Sequence, residues 1–300
     1  MALNKSVQKL NLANNNYGEI KMSYCVALKL SRGLLFMSDT LTNGGVDDIS
    51  SYPKTFSWGV PGERQILLSA AGNLATSQAA VNTLSENIKN KKMDDTTILT
   101  APTMFQVART VSHTLAEIID VSARGHQKAE NKFSATFILG GQIKNSEMAL
   151  YLIYPEGNFI EVSNEQPFFQ IGETKYGRPI LVRAFDPDMI FEDAIKLLMV
   201  SFDSTIKANL SVGLPLDLSI YVKDSLTKAK TLKIDARNEY FQMVSKEWAA
   251  SLKKSLAALP SFEFDNWPFF FMALPRGYRK LHFLQANLTE KLTENTKYSP

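Results

Sequence analysis

The apolar residues repeat with two different periods, which alternate in blocks along the chain. From Met22 the period is two: Tyr24, Val26, Leu28 and Leu30 share one face, and Ser23, Cys25 and Ala27 the other, which predicts a strand. Arg32-Gly33 turns the chain, and Leu34-Leu35-Phe36-Met37-Ser38-Asp39 is a second, more fully buried strand, so the pair reads as a hairpin. A polar loop containing Asn43-Gly44-Gly45 runs from Thr40 to Ser51. Lys54-Thr55-Phe56-Ser57-Trp58 and Gln65–Ala70 read as two further strands.

The period then lengthens. Leu74, Val81, Leu84 and Ile88 make one helical face, and Lys89, Lys91 and Lys92 suit the negative end of its dipole. A second helix starts near Pro102, carries Met104, Val107, Val111, Leu115 and Ile118, and stops at Gly125. Strands return at Phe133–Gly140, Met148–Tyr154, Phe159–Val162 and Phe168–Ile171, with Pro155-Glu156-Gly157-Asn158 as a hairpin turn. Asp188–Leu210 reads as a helix with Ile195, Leu198, Phe202 and Ile206 facing inward. Leu216–Val222 and Thr231–Ile234 are strands. Asn238–Leu259 is a helix with Phe241, Val244, Trp248, Leu252, Leu256 and Leu259 on one side, ended by Pro260. Strands come in antiparallel pairs, not in βαβ alternation. The class is α+β: two stacked antiparallel sheets with helices on both outer faces.

No repeat and no linker interrupts 22–260, which is expected to be one domain. Residues 1–21 are polar and Asn-rich, a leader or the product of a start assigned too far upstream. Gly18-Glu19 back-translates to GGAGAA, a purine-rich ribosome-binding sequence shortly before the Met22 codon. Residues 261–300 form a C-terminal extension with an aromatic run, Trp267-Pro268-Phe269-Phe270-Phe271-Met272, expected to pack on its own or a neighbouring subunit.

Composition narrows the function. A net charge of +3, spread along the chain, makes no case for nucleic acid. One cysteine excludes an intrachain disulfide and a multi-cysteine metal site, and fits a reducing cytoplasm. His113, His126 and His282 lie far apart, and His113 is expected to be packed or solvated. No apolar run is long enough to cross a bilayer, and the segment before Met22 has no secretory h-region. No metal and no cofactor is expected.

Met22 is the kind of residue that serves as an initiator methionine. Its removal leaves Ser23 with a hydroxyl and a free α-amine on adjacent bonds, which together are a nucleophile and its base. An α-amine with a pKa of roughly 7.7–8.0 is partly neutral at cellular pH and can take the hydroxyl proton. Lys54 is the candidate electrostatic partner, and Asp39 the group that holds it charged and aimed. Asp39 ends the second strand and Lys54 opens the third, so all three can meet at one sheet end. The backbone N–H of Gly72, in Ala71-Gly72-Asn73 between a strand and a helix, is the candidate oxyanion donor. Each has a plainer reading: a capping Asp, a solvated Lys, a glycine at a helix start.

Several runs resemble the Anbu family, the bacterial proteasome-type proteases also called ancestral β-subunits. They are Met22-Ser23-Tyr24-Cys25-Val26, Phe36–Asp47, Ala71–Thr76, Leu139-Gly140-Gly141, Ile171–Leu181, Ser201–Thr205 and Asn209–Gly213. The resemblance implies a four-layer αββα sandwich, assembly of identical subunits into rings or open rings, and hydrolysis of peptides or unfolded proteins. It puts the nucleophile, aspartate, lysine and oxyanion glycine on Ser23, Asp39, Lys54 and Gly72. Polar residues that steady the N-terminal amine fall near Glu173, Asn209 and Ser211. An unfoldase partner is not indicated by the sequence.

Two positions depart from the family. Ser23 stands where threonine is usual, which loses the stiffness of a β-branched side chain. Val182 stands where an aspartate is expected, which removes a local salt bridge or site support. Ser23→Ala and Lys54→Ala are both expected to abolish activity with little loss of stability. Three other readings stay open: an inactive ring subunit with a blocked N-terminus, a serine acyl-enzyme built on Ser51-Tyr52-Pro53-Lys54, and exposure of Cys25 by processing.

Overall fold

The elements expected from the two periods form. In chain order they are β1 (Tyr24–Leu30), β2 (Gly33–Asp39), β3 (Leu41–Asn43), β4 (Ile49–Ser51), β5 (Thr55–Val60), β6 (Arg64–Gly72), α1 (Leu74–Lys89), α2 (Met104–Ala123), β7 (Ala135–Ile143), β8 (Ala149–Ile153), β9 (Phe159–Glu161), β10 (Phe168–Gly172), α3 (Arg178–Ala184), α4 (Phe191–Ala208), β11 (Leu216–Val222), β12 (Lys230–Ile234) and α5 (Glu239–Ala258). The structure is a computed structural model, and it describes residues 23–43, 49–90, 96–124, 133–163 and 165–262. The leader 1–21, Met22, Gly44-Gly45, Lys91-Lys92, Gly125, His126, His282 and the aromatic run 267–272 lie outside the described residues.

Two five-stranded sheets result, ordered β10-β1-β2-β11-β12 and β5-β6-β7-β8-β9, and every pairing in them is antiparallel. The alternation in β1 sorts its side chains between two cores. Tyr24, Val26, Leu28 and Leu30 pack with Leu181, Leu198, Phe202, Phe241 and Val244 under the helices α3, α4 and α5. Cys25 and Ala27 face the other way, into a core with Phe36, Leu67, Ile138 and Leu150 that joins the two sheets. A third core packs Val81, Leu84, Val107 and Val111 of α1 and α2 on Ile66, Leu68, Phe137 and Leu139 of the second sheet. The layers are therefore helix, sheet, sheet, helix, the αββα arrangement of an α+β fold.

The strands β3 and β4 and the helices α3 and α4 differ from expectation. The Thr40–Ser51 loop holds the short ladder β3–β4, with Leu41 opposite Ser51. Each of its strands is 3 residues long with one apolar residue, Leu41 or Ile49, so no apolar alternation announced it. Helix α3 is only seven residues long, opens on Arg178-Pro179 and buries only Leu181, too little for a helical period to show. Val182 is exposed on it, so the missing aspartate takes nothing from the core. Helix α4 starts at Phe191, not Asp188, because Pro187 and Asp188 close the β1–β2 turn: Ser31 donates its N–H to the Pro187 carbonyl at 2.8 Å and its hydroxyl to Asp188.

The chain divides into two units, 1–250 and 251–300, with the division inside α5. In the first, Phe241 and Val244 are buried and Trp248 packs beside them. In the second, Leu252, Leu256, Leu259 and Phe262 are exposed.

Candidate active site

Ser23 lies immediately before β1 and is buried. Strand β1 runs between β2 and β10, with Tyr24 opposite Gly172 and Cys25 opposite Ser38. This clamps the Ser23–Tyr24 peptide from two sides. The Ser23 carbonyl accepts from the Glu173 N–H at 2.6 Å, and the Tyr24 N–H donates to Asp39 Oδ1 at 2.8 Å. The next side chain is anchored as well. The Tyr24 ring lies 4.3 Å from that of Phe202, and its hydroxyl bonds Ser201 Oγ at 2.7 Å and accepts from Gln170 at 3.2 Å.

Asp39, at the end of β2, meets Lys54, which precedes β5 in the other sheet. Lys54 Nζ donates to Asp39 Oδ1 at 2.7 Å and to the Leu41 carbonyl at 2.7 Å. Lys54 is 5% exposed and Asp39 fully buried. The Ala70 N–H, donating to the Lys54 carbonyl at 2.9 Å, fixes the lysine backbone to β6. Burial raises the Asp39 carboxyl above its ordinary value, while the Lys54 ammonium and the N–H groups of Tyr24 and Gly213 pull it the other way. Next to this pair, Ser38, Thr55 and Ser69 form a hydroxyl chain between the sheets, with steps of 3.2 and 2.8 Å.

Gly72 ends β6 at φ +110, followed by Asn73, which caps α1 by accepting from the Thr76 N–H at 3.0 Å. A Cβ on Gly72 would lie 2.6 Å from the Ser134 carbonyl, so both the dihedral and the space require glycine. Gly172, at φ +80, brings the end of β6 alongside Ser23. A Cβ there would strike the Ser23 carbonyl and lie 3.4 Å from the Ala71 Cβ.

The supporting residues form one network. Glu173 is buried, and its carboxylate accepts from Lys175 N–H at 2.6 Å and from Asn209 Nδ2 at 2.8 Å. Asn209 Oδ1 in turn accepts from the Ser211 N–H at 2.9 Å. Ser23, Glu173, Asn209 and Ser211 are thus joined on one side of β1, and Asp39 and Lys54 on the other. Sequence reasoning missed three parts: the Tyr24 amide, the Leu41 carbonyl and Gly172. Backbone groups carry no residue signature, and only the Gly172-Glu173 pair at a strand end hinted at the last.

The rival readings find less support. Pro53 lies between β4 and β5, outside any helix, so Ser51-Tyr52-Pro53-Lys54 opens no helix. The Cys25 thiol is enclosed between the sheets, donating to the Ala70 carbonyl at 3.5 Å, and burial pushes its pKa well up, so it stays protonated. His113 is exposed on α2. Among the described residues no group of side chains fits a metal ion, and no helix is long and apolar enough to cross a membrane.

Comparison with known proteins agrees with the fold. The proteasome-subunit family profile matches residues 23–218, opening at Ser23. A comparison with curated proteins finds no match. Among solved structures, an Anbu (Gly-1) mutant from Hyphomicrobium sp. strain MC1 is 44% identical with a TM-score of 0.75, over 81% of this chain and 100% of that one. Anbu from Yersinia bercovieri is 39% identical with a TM-score of 0.74, over 80% and 100%. The helical assembly of the Anbu complex from Pseudomonas aeruginosa is 42% identical with a TM-score of 0.74, over 80% and 98%. With most of its length matched by that profile and by these structures, the chain belongs to the Anbu group of the proteasome-subunit family.

Proposed function

We propose that this chain is a proteasome-type peptidase whose nucleophile is the hydroxyl of Ser23, acting once the bond before Ser23 is open. The free α-amine takes the hydroxyl proton as Oγ attacks the scissile carbonyl. Lys54, held charged by Asp39, lowers the cost of the developing alkoxide. The Gly72 N–H, at the start of α1, serves the oxyanion of the tetrahedral intermediate. Collapse breaks the C–N bond, and the leaving amine takes the proton from the α-ammonium. Water, deprotonated by the same amine, then releases the acyl group from Ser23. Glu173, Asn209 and Ser211 steady the amine.

The observation that carries this reading is the doubly held Ser23–Tyr24 peptide. Its N–H shares Asp39 Oδ1 with the Lys54 ammonium, so the backbone that carries Ser23 is tied to the aspartate and the lysine by two hydrogen bonds of 2.8 and 2.7 Å. Such fixed placement is what proximity catalysis requires. The family match that opens at Ser23 supports the same starting point. Serine in place of threonine keeps the hydroxyl chemistry and gives up part of the rotamer restriction.

The substrate class is peptides or unfolded proteins, and the working form is a homo-oligomer in the cytoplasm, a ring or an open ring. The Pseudomonas aeruginosa relative's helical assembly supports association of identical chains. If the α-amine stays acylated it cannot accept a proton, and the chain is then an inactive ring-forming subunit. Three preparations separate the two readings: a form whose N-terminus is Ser23 by mass spectrometry, the full chain, and Ser23→Ala in the first form. A fluorogenic peptide panel is expected to be hydrolysed by the first alone. Equal turnover by Ser23→Ala would refute the mechanism.

A further inference from the structure

Thr40 stands between the two residues that hold the lysine. Asp39 supplies its carboxylate and Leu41 its carbonyl, each 2.7 Å from Lys54 Nζ. Thr40 itself touches neither the ammonium nor Ser23 through any bond described above. Instead all of its polar groups are engaged elsewhere. Its N–H donates to the Pro215 carbonyl at 3.1 Å, and its hydroxyl donates to the same oxygen at 2.8 Å. That hydroxyl also accepts from Ser51 Oγ at 2.8 Å, and the Thr40 carbonyl accepts from the Tyr52 N–H at 3.0 Å. Thr40 is 2% exposed, so water does not compete for these bonds.

The bonds tie together three separate segments. Pro215 precedes β11 in the first sheet, Ser51 ends β4, and Thr40 links β2 to β3. The Pro215 segment also lies against Leu41, the residue after Thr40. A Cβ on Gly213 would come 3.0 Å from Leu41 Cδ2. The run Asp39-Thr40-Leu41 is therefore pinned at its middle.

We propose that Thr40 is a positioning residue, whose hydroxyl keeps the Asp39 carboxylate and the Leu41 carbonyl jointly within reach of Lys54. The proposal rests on Lys54 being the electrostatic partner of Ser23. The physical reason lies in the burial of the ammonium. A buried charge that loses an acceptor is not rehydrated, so it moves toward whatever acceptor remains. A shift of either acceptor therefore becomes a shift of the charge, and catalysis is sensitive to such shifts. Valine matches threonine in shape, leaves the backbone bonds in place and deletes only the hydroxyl. Serine keeps the hydroxyl and deletes only a methyl.

The test compares Thr40→Val and Thr40→Ser with wild type by two readouts. The first is the rate of reductive methylation of Lys54 in the full chain, read by mass spectrometry against exposed Lys89 as internal reference. The second is peptide hydrolysis by the form beginning at Ser23. Thr40→Val is expected to label Lys54 several-fold faster and to lose roughly tenfold in kcat with KM nearly unchanged. Thr40→Ser is expected to restore both. Labelling and kcat at wild-type values in Thr40→Val overturn the proposal, as does failure of Thr40→Ser to restore them. Should Thr40→Val not fold, Ser51→Ala removes the donor to the Thr40 hydroxyl from an exposed position. A smaller rise in Lys54 labelling then supports the proposal, and no rise overturns it. If wild type hydrolyses no peptide, or Ser23→Ala equals it, the peptidase reading falls, and the labelling alone decides the role of Thr40.

Discussion

At the scale of single residues, the Asp39–Lys54 pair revises an expectation drawn from sequence. Lys54→Ala was expected to abolish activity at little cost in stability, but the lysine is buried against a fully buried carboxylate. Removing one partner of a buried pair leaves an uncompensated charge and costs about 3–5 kcal/mol. Urea unfolding of Lys54→Ala should show that loss, while Ser23→Ala should leave the midpoint near wild type. The pair also sets a pH dependence. Burial raises the Asp39 pKa above 3.8. Between that value and the folded one, the native state keeps a proton that the unfolded chain has released. The contribution of Asp39 to stability is thus fully present below 3.8 and is lost as pH rises through the folded pKa. The stability difference between wild type and Asp39→Asn should therefore shrink as pH rises through this window, read from unfolding midpoints. Activity carries the opposite requirement, an ionised Asp39, so its acid limb should lie above 3.8.

At the scale of elements, the site is a product of strand pairing. Strand β1 receives β2 on one side and β10 on the other, and the last pairing, Tyr24 with Gly172, is what places Glu173 against the Ser23 carbonyl. Gly172→Ala puts a Cβ on that carbonyl at a dihedral that only glycine adopts readily. We expect it to lower stability by about 1–3 kcal/mol and to cut peptide hydrolysis in the Ser23-start form well beyond what the lost stability explains. Wild-type kcat in a folded Gly172→Ala protein would show that β10 does not place Ser23. The long helices were legible because each has a one-sided apolar face, as in Val107, Val111 and Leu115 on α2, and the long strands β2, β6 and β7 because they are apolar runs buried on both faces. Three short elements, β3, β4 and α3, were not. Backbone pairing and a Pro179 start hold them, and neither leaves a period in the sequence.

At the scale of the whole molecule, three cores hold four layers together, and the candidate site lies where the two sheets meet. Lys54 immediately precedes β5 of the second sheet and Asp39 ends β2 of the first, so the ion pair exists only when the sheets are stacked. The core that joins the sheets, with Phe36, Leu67, Ile138 and Leu150 in it, is therefore part of what holds the site. The assembly of identical chains has a direct measurement. Sedimentation of the Ser23-start form at micromolar concentration should give a species many times the mass of one chain, and a monomer throughout would contradict a ring or open ring.

The chain by itself determined the periodicities, and with them the order of strands and helices, the antiparallel character of the sheets and the order in which Ser23, Asp39, Lys54 and Gly72 follow one another. Those follow from which faces are apolar, a local property that sequence spacing records. Only the tertiary structure decided which backbone groups complete the site. The Glu173 N–H, the Tyr24 N–H and the Leu41 carbonyl have no side-chain identity to read, and they converge because strands distant in sequence pair in one register. It also decided that Lys54 is buried rather than solvated, since that depends on a second sheet closing over the end of the first.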